Sequence, residues 1–338
     1  MRLSESDPVA HYELYIDGQF ARSGTVHELS VSERLGRIPR SLRWQDGAVF
    51  ETADNQGIDQ WLSASRHKAA GGLWLHRLES SWSWALASVL LVAGLAAAGY
   101  LWGLPYAAKR IAYALPVPVH EAISSGALAT MDRVFFKPTS VDTRKQQEIR
   151  ARFNTLVENI ELADAGADVF QLQLHFRNIE IAGEQIPNAL ALPGGDIIVT
   201  DGLLPLIDDP RELDSILLHE IGHVLERHGM QHVIQASTIT VMASLALGNP
   251  GGAADLVTGV PIFLLQSRYS RRSETDADTF AFEQMLKAGI DPIHFANAIR
   301  NITGDQSDDA SDGAGGYFSS HPGTQERARR ASSYLENR

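Results

Sequence analysis

The chain opens on alternating apolar and polar positions. The runs "YELYIDGQF" and "SLRWQDGAVFET" each place an Asp-Gly pair between alternating residues, the chemistry of a tight hairpin. They predict a small β-rich unit over residues 1–65, followed by a linker over 66–83 that contains "HKAAGG". The pattern then changes abruptly. From Ser80 to Ala108 no charged residue occurs for 29 positions. The centre of this stretch, Trp84 to Leu104, is long enough to cross a hydrocarbon layer of roughly 30 Å as a helix. Trp82 and Trp84 at one edge, and Tyr100, Trp102 and Tyr106 at the other, form the aromatic belt expected at two interfaces. A single transmembrane helix over 84–104 is therefore predicted, in preference to a buried core helix or a cleaved signal peptide.

Beyond it, Pro116 and Pro118 interrupt the chain, and residues 105–140 read as a juxtamembrane connector. The helical period returns in "DTRKQQEIRARFNTLVENIEL", where Ile149, Phe153, Leu156, Val157 and Ile160 share one face. "VFQLQLHF" alternates as a strand, and "NALALPGGDIIVTDGLL" reads as two short strands turning at Pro193, Gly194 and Gly195. Asp209, Pro210 and Glu212 supply an N-cap, a first-turn proline and a capping-box acid, so a helix is predicted from Asp209 to about Arg227. A second apolar region, Ser237 to Gln266, is split by Asn249, Pro250, Gly251 and Gly252. It predicts two core helices rather than another span, with contact to the membrane surface left open. Helices and strands together predict an α+β domain over 141–338, mainly helical around a small sheet.

Composition narrows the classes. A net charge of −12, with no basic block, excludes a nucleic-acid binder. The chain has no cysteine, so a metal would be held by His, Asp or Glu alone. Arg66, Lys68 and Arg77 precede the predicted span, and Lys109 and Arg110 follow it. The positive-inside rule thus favours a cytoplasmic N-terminal unit and a C-terminal domain across the membrane, by three charges to two.

The predicted Asp209 helix carries "HEIGH". His219 and His223, four residues apart, face the same way and can reach one tetrahedral ion. Glu220 lies round the helix where it can serve as general base towards a water. By composition such a motif arises by chance in roughly one in forty chains of this length, so a third ligand decides its meaning. The metzincin placement fails, because Glu226 and Gly229 stand where Gly and His are needed. A carboxylate some twenty residues on fails too, because no Asp or Glu occurs from Arg227 to Ala254. The next acidic helix is "YSRRSETDADTFAFEQML". There Glu274 can ligate while Asp278, four residues later, orients a ligand.

Taken jointly, "HEIGHVLERH", "YSRRSETDAD" and "SSHPGTQER" resemble the membrane-associated zinc metallopeptidases of the CAAX-prenyl-protease and HtpX/BepA-like group, over about residues 115–335. "NALALPGGDIIVTDGLL" resembles the edge-strand segment of that group. The N-terminal β unit with one span is similar to a bacterial subgroup. The resemblance implies a zincin-like metallopeptidase domain with one Zn2+ held by His219, His223 and Glu274, Glu220 as general base and Asp278 as the aspartate of the third-ligand helix. His321 is implied to approach the metal or the oxyanion, and Arg271 and Arg327 to be ion-pair partners. It further implies an endopeptidase of the bacterial inner membrane acting on misfolded or misassembled envelope proteins, with the catalytic domain periplasmic. Substrate is expected to dock as an extended strand beside "GGDIIVT".

The competing class is a membrane-tethered chaperone or assembly factor with a latent or closed metal site, its β unit recruiting a protein partner. Prenyl-protein processing would need a chamber of several spans. His228 and His232 are expected to be helix-end histidines satisfied by backbone or solvent. Asp305, Asp308, Asp309 and Asp312 lack calcium-loop spacing and read as a solvated loop. His120, His175 and His294 have no partner at ligand spacing and are expected to be structural. The Gly-rich loop before His321 is expected to leave that histidine room to move.

Overall fold

The computed structural model describes residues 2–3, 11–64, 82–160, 170–246, 260, 264, 269–303 and 321–336. The expected linker up to residue 81, nearly all of the second apolar region beyond Ala246, the loop before His321 and the Asp305–Asp312 cluster lie outside them. The chain divides into two compact units, Met1–Gly99 and Tyr100–Arg338.

In the first unit, strands β1 (Arg2–Leu3), β2 (His11–Ile16) and β3 (Gln19–Thr25) form one antiparallel sheet. Strands β4 (Leu29–Val31), β5 (Arg40–Trp44) and β6 (Val49–Thr52) form another. The β2–β3 turn falls on Asp17 and Gly18, with φ of 49° and 81°, the left-handed values that a tight hairpin requires. Tyr12, Leu42 and Trp44 pack with Ile58 and Trp61 of helix α1 (Asn55–Ala64), and the Trp44 indole N–H donates to the Tyr12 hydroxyl at 2.5 Å. The apolar helix α2 (Trp82–Ala98) buries none of its residues, and Leu90 and Leu95 are 63% and 65% exposed. Helical structure runs on to Ala114, and among the described residues this is the one helix long and apolar enough to cross a membrane. Such uniform exposure suits a lipid-facing helix and not a core helix.

The second unit contains α3 (Leu104–Ala114) and α4 (Val117–Val134). Both fall in the stretch expected as a connector. Pro116 is the N-cap of α4 and Pro118 lies in its first turn, positions where a missing N–H costs nothing. The α4 stripe Val117, His120, Ser124, Ala127 and Met131 is buried. Helix α5 (Thr143–Asn159) buries the expected Ile149, Phe153 and Leu156 against Leu174 and Phe176 of β8 (Gln173–Asn178).

A four-stranded sheet runs in the order β11 (Ala189–Ala191), β12 (Asp196–Thr200), β8 and β7 (Lys137–Pro138); β9 (Glu180–Ile181) and β10 (Glu184–Gln185) form a separate ribbon. β12 pairs in parallel with β8 and antiparallel with β11. This corrects the expected docking strand: "GGDIIVT" is paired on both sides, and the sheet edge is β11. The Leu192 N–H bonds to the Asp196 carbonyl and the Thr200 N–H to the Asn188 carbonyl. Antiparallel alternation therefore turns the Leu190 backbone groups towards β12 and those of Ala189 and Ala191 away from it.

Helix α6 (Pro210–Leu225) crosses the core and is buried at every residue from Glu212 to Val224. The full capping box is present, with Asp209 accepting from backbone N–H groups and Glu212 accepting from the Asp209 N–H at 3.5 Å and also from the Asp208 N–H at 3.0 Å. The helix stops short of the expected Arg227, because Arg227 takes a left-handed φ of 55°. Its guanidinium holds that conformation by donating to the Ala112 and Leu115 carbonyls at the end of α3, at 2.8 and 3.1 Å. A new helix, α7 (His228–Ala246), starts at once. Helices α8 (Arg271–Lys287), α9 (Ile293–Thr303) and α10 (Thr324–Ser332) complete the unit, with Phe282, Met285 and Phe295 joining the core of α6.

Candidate metal centre

Helices α6 and α8 touch where neither has bulk. A Cβ on Gly222 would stand 3.1 Å from the Ala277 Cα and 3.1 Å from its carbonyl oxygen. That approach, one residue before His223, sets the acidic face of α8 against the histidine face of α6.

His219, His223, Glu274 and His321 are all buried, and one ligand atom from each lies within 4.8 Å of the other three. His219 Nε2 is 3.0 Å from His223 Nε2 and 3.4 Å from Glu274 Oε2. His223 Nε2 is 3.5 Å from Glu274 Oε1. His321 Nδ1 lies 3.3 Å from His219 Nε2 and 3.1 Å from Glu274 Oε1. A tetrahedral ion with ligand bonds of about 2.0–2.1 Å would put its ligand atoms ~3.3 Å apart. The spacing and the nitrogen–oxygen donor set thus fit a divalent ion such as zinc.

Round this group stand the residues that hold it. Asp278 Oδ1 is 3.0 Å from His219 Nδ1, the position from which it can fix that ring. Arg327, on α10, reaches both acids of α8, with Nη1 2.7 Å from Glu274 Oε2 and Nη2 2.7 Å from Asp278 Oδ1. Burial would raise both carboxyls, but the Arg327 guanidinium outweighs it and holds them below the usual carboxylate range. Burial and Arg327 press the His219 pKa down, yet its bonds to Asp278 and Glu274 carry it up to about 9. Burial pushes His223 well down. It raises Glu220, whose carboxylate is fully buried and has no hydrogen bond to either oxygen among the described residues. His321 Nε2 is 3.5 Å from Glu220 Oε1.

The structure thus brings His219, Glu220, His223, Glu274, Asp278 and His321 together. Arg271, expected as an ion-pair partner, is exposed in the first turn of α8 and makes no ion pair among the described residues. His228 is not the helix-end histidine, satisfied by backbone or solvent, that its position in the sequence predicts. It is instead 2% exposed, with Nδ1 3.1 Å from His223 Nδ1. Tyr269, not singled out in the sequence, stacks on the His223 ring at 3.9 Å between centroids and 25° between planes. Nothing local marks either residue, since both depend on the break at Arg227 and on contacts between helices. His120 and His175 lie apart from the centre, bonded to the Ala112 carbonyl at 3.2 Å and to Asp196 at 2.7 Å.

Comparison with known proteins agrees with this geometry. Residues 2–65 match a domain of unknown function, DUF7092. The chain is 28% identical over 178 residues to the mitochondrial metalloendopeptidase OMA1 of Schizosaccharomyces pombe, covering 52% of this chain and 50% of that protein. It is 30% identical over 146 residues to the metalloprotease LoiP of Escherichia coli, covering 42% and 56%. It is 26% identical over 182 residues to the beta-barrel assembly-enhancing protease of Yersinia pestis, covering 50% and 35%. The chain therefore spans about half or less of the length of these relatives. Residues 143–335, which carry every member of the buried cluster, match Peptidase family M48, and the chain belongs to that family.

Proposed function

We propose that this protein is a membrane-anchored, zinc-dependent endopeptidase. The observation that carries the reading is the convergence of His219, His223 and Glu274 at tetrahedral spacing beside a buried Glu220 carboxylate with no hydrogen-bond partner among the described residues. His219, His223 and Glu274 would hold zinc there, and the ion would supply Lewis acidity to a peptide carbonyl and to a water. Glu220 takes the proton from the attacking water and gives it to the leaving amine. Asp278 holds His219 in orientation, and Arg327 keeps Glu274 and Asp278 ionised. Substrate would dock as an extended strand along β11, a mode tolerant of sequence, once what covers Ala189 and Ala191 has moved aside.

The substrates we infer are misfolded or misassembled envelope proteins, in keeping with the Yersinia relative being a beta-barrel assembly-enhancing protease. The location we infer is the bacterial inner membrane, with the N-terminal unit cytoplasmic, the catalytic unit periplasmic and the β unit free to engage a protein partner. Ile239, Val241 and Met242, exposed near the end of α7, suit a unit held close to a lipid surface.

A second reading, of a latent site, is favoured by one observation. His321 Nδ1 lies within the ligand cluster, 3.3 Å from His219 Nε2 and 3.1 Å from Glu274 Oε1, where it would compete with a water and then a carbonyl. The test is zinc content and cleavage of an unfolded protein by the detergent-solubilised full chain, with Glu220→Gln and His321→Ala beside the wild type. Bound zinc with cleavage lost in Glu220→Gln is the expected result; equal cleavage by both would sink the mechanism. Faster cleavage by His321→Ala selects the latent reading, and slower cleavage selects His321 as a catalytic group. A reporter fused after Arg338 that is active only in the cytoplasm would overturn the topology.

A further inference from the structure

The zinc reading, on which this inference rests, leaves open what holds the second histidine. His219 has Asp278 behind it, but among the described residues no carboxylate lies behind His223. What stands there is His228, buried, with Nδ1 3.1 Å from His223 Nδ1. On an unbroken α-helix a residue five positions on points about 140° away from the first, too far round for the rings to meet. The left-handed turn at Arg227 undoes that rotation and folds His228 back beneath His223.

The direction of the bond follows from the donor set. His223 Nε2 faces His219 Nε2 at 3.0 Å and Glu274 at 3.5 Å, so it is the nitrogen that must be bare to bind a cation. Its proton then sits on Nδ1, and the group opposite has to accept. We propose that His228 is the positioning residue of His223: its Nδ1 accepts from the His223 Nδ1–H and so fixes the tautomer and ring angle that present Nε2 to zinc. Tyr269, stacked on the flat of the His223 ring, blocks rotation out of that angle.

Charge explains why a neutral acceptor serves here. The two charges of zinc and the one of Arg327 would match the buried carboxylates of Glu274, Asp278 and Glu220, with the part-exposed Arg330 4.0 Å from Asp278 adding a further positive charge at the rim. An Asp or Glu at 228 would add an unbalanced charge to a closed site. A neutral imidazole fixes the tautomer and adds none.

The test uses the full chain in detergent and zinc alone as probe, by equilibrium competition with a chromophoric chelator, together with thermal unfolding of each metal-free variant. An Asn oxygen can stand close to where the His Nδ1 stands, whereas Leu fills space without accepting. His228→Leu is expected to weaken zinc binding about 10–100-fold, the usual cost of losing a partner behind a ligand. His228→Asn is expected to stay within about threefold of the wild type and His228→Asp to fall below it, all with similar metal-free unfolding temperatures. Zinc affinity in His228→Leu equal to wild type overturns the proposal, as does His228→Asn binding as weakly as His228→Leu. Should His228→Leu fail to fold, nitrogen NMR of the zinc-loaded wild type decides: Nδ1–H on His223 supports the assignment, and Nε2–H overturns it. A wild type that binds no zinc refutes the peptidase reading itself, which is a separate result.

Discussion

Replacing Gly222 with alanine tests whether the metal centre depends on how closely α6 and α8 approach. The added methyl would meet Ala277 Cα, the Ala277 carbonyl and Phe280 Cδ1, all at 3.1 Å. Carbon contacts are comfortable at about 3.5–4.0 Å, so the helices must part by roughly 0.5 Å. Two energies then oppose each other. Overpacking costs about 1–3 kcal/mol, while replacing glycine inside a helix returns about 1 kcal/mol. The fold should therefore lose at most about 2 kcal/mol, a fall of several degrees in unfolding temperature for a unit of this size. The metal site is less forgiving, since ligand distances hold to about 0.2 Å. Moving Glu274 by roughly 0.5 Å from His219 and His223 should cost at least tenfold in zinc affinity. Chelator competition and thermal unfolding with and without zinc separate the two effects. A Gly222→Ala protein that binds zinc within about twofold of the wild type would show that the close approach does not set the site.

Other outcomes follow from the same geometry. Arg327→Ala leaves Glu274 buried without its arginine and Asp278 with only Arg330, 4.0 Å away, and should destabilise the metal-free protein by up to about 3–5 kcal/mol, with Arg327→Lys recovering part of the loss in thermal unfolding. The folded metal-free protein holds the His219 proton up to a pKa of about 9, against about 6.5 when unfolded. The folded state therefore binds more protons between those values, and metal-free stability should fall as pH rises from 6.5 to 9, by up to about 1.4 kcal/mol per pH unit. Zinc removes that proton, so the loaded protein should lack this slope, and proton release on zinc addition at pH 8 checks the same point. Asp209→Ala removes one half of the capping box and should cost about 1 kcal/mol, lowering the unfolding temperature while leaving zinc affinity unchanged.

The parts of this molecule written in local chemistry were legible. Asp209, Pro210 and Glu212 announce α6 from adjacent positions, and the Asp-Gly pairs announce two hairpins. Glu274 could be picked out because no carboxylate lies between Arg227 and Ala254 to compete with it. Helix α4 escaped notice because its buried stripe, Val117, His120, Ser124, Ala127 and Met131, is not apolar throughout, and because Pro116 and Pro118 read as breakers instead of starters. The place of "GGDIIVT" inside the sheet depends on pairing with β8 some twenty residues earlier in the chain, which no periodicity records. The left-handed Arg227 is invisible for the same reason. It is stabilised by carbonyls more than a hundred residues away, at Ala112 and Leu115, and the place of His228 follows from it.

The guanidinium that steadies Glu274 and Asp278 comes from α10, which follows α6 and α8 in the chain. Until that helix docks, two acids on α8 face each other across one turn with no cation, and His321 is not yet in reach. A ribosome-bound chain that has exposed "HEIGH" and even α8 therefore holds the ligands without the clamp that gathers them. The ligand cluster is thus assembled by long-range docking of α10 and not by α6 and α8 alone.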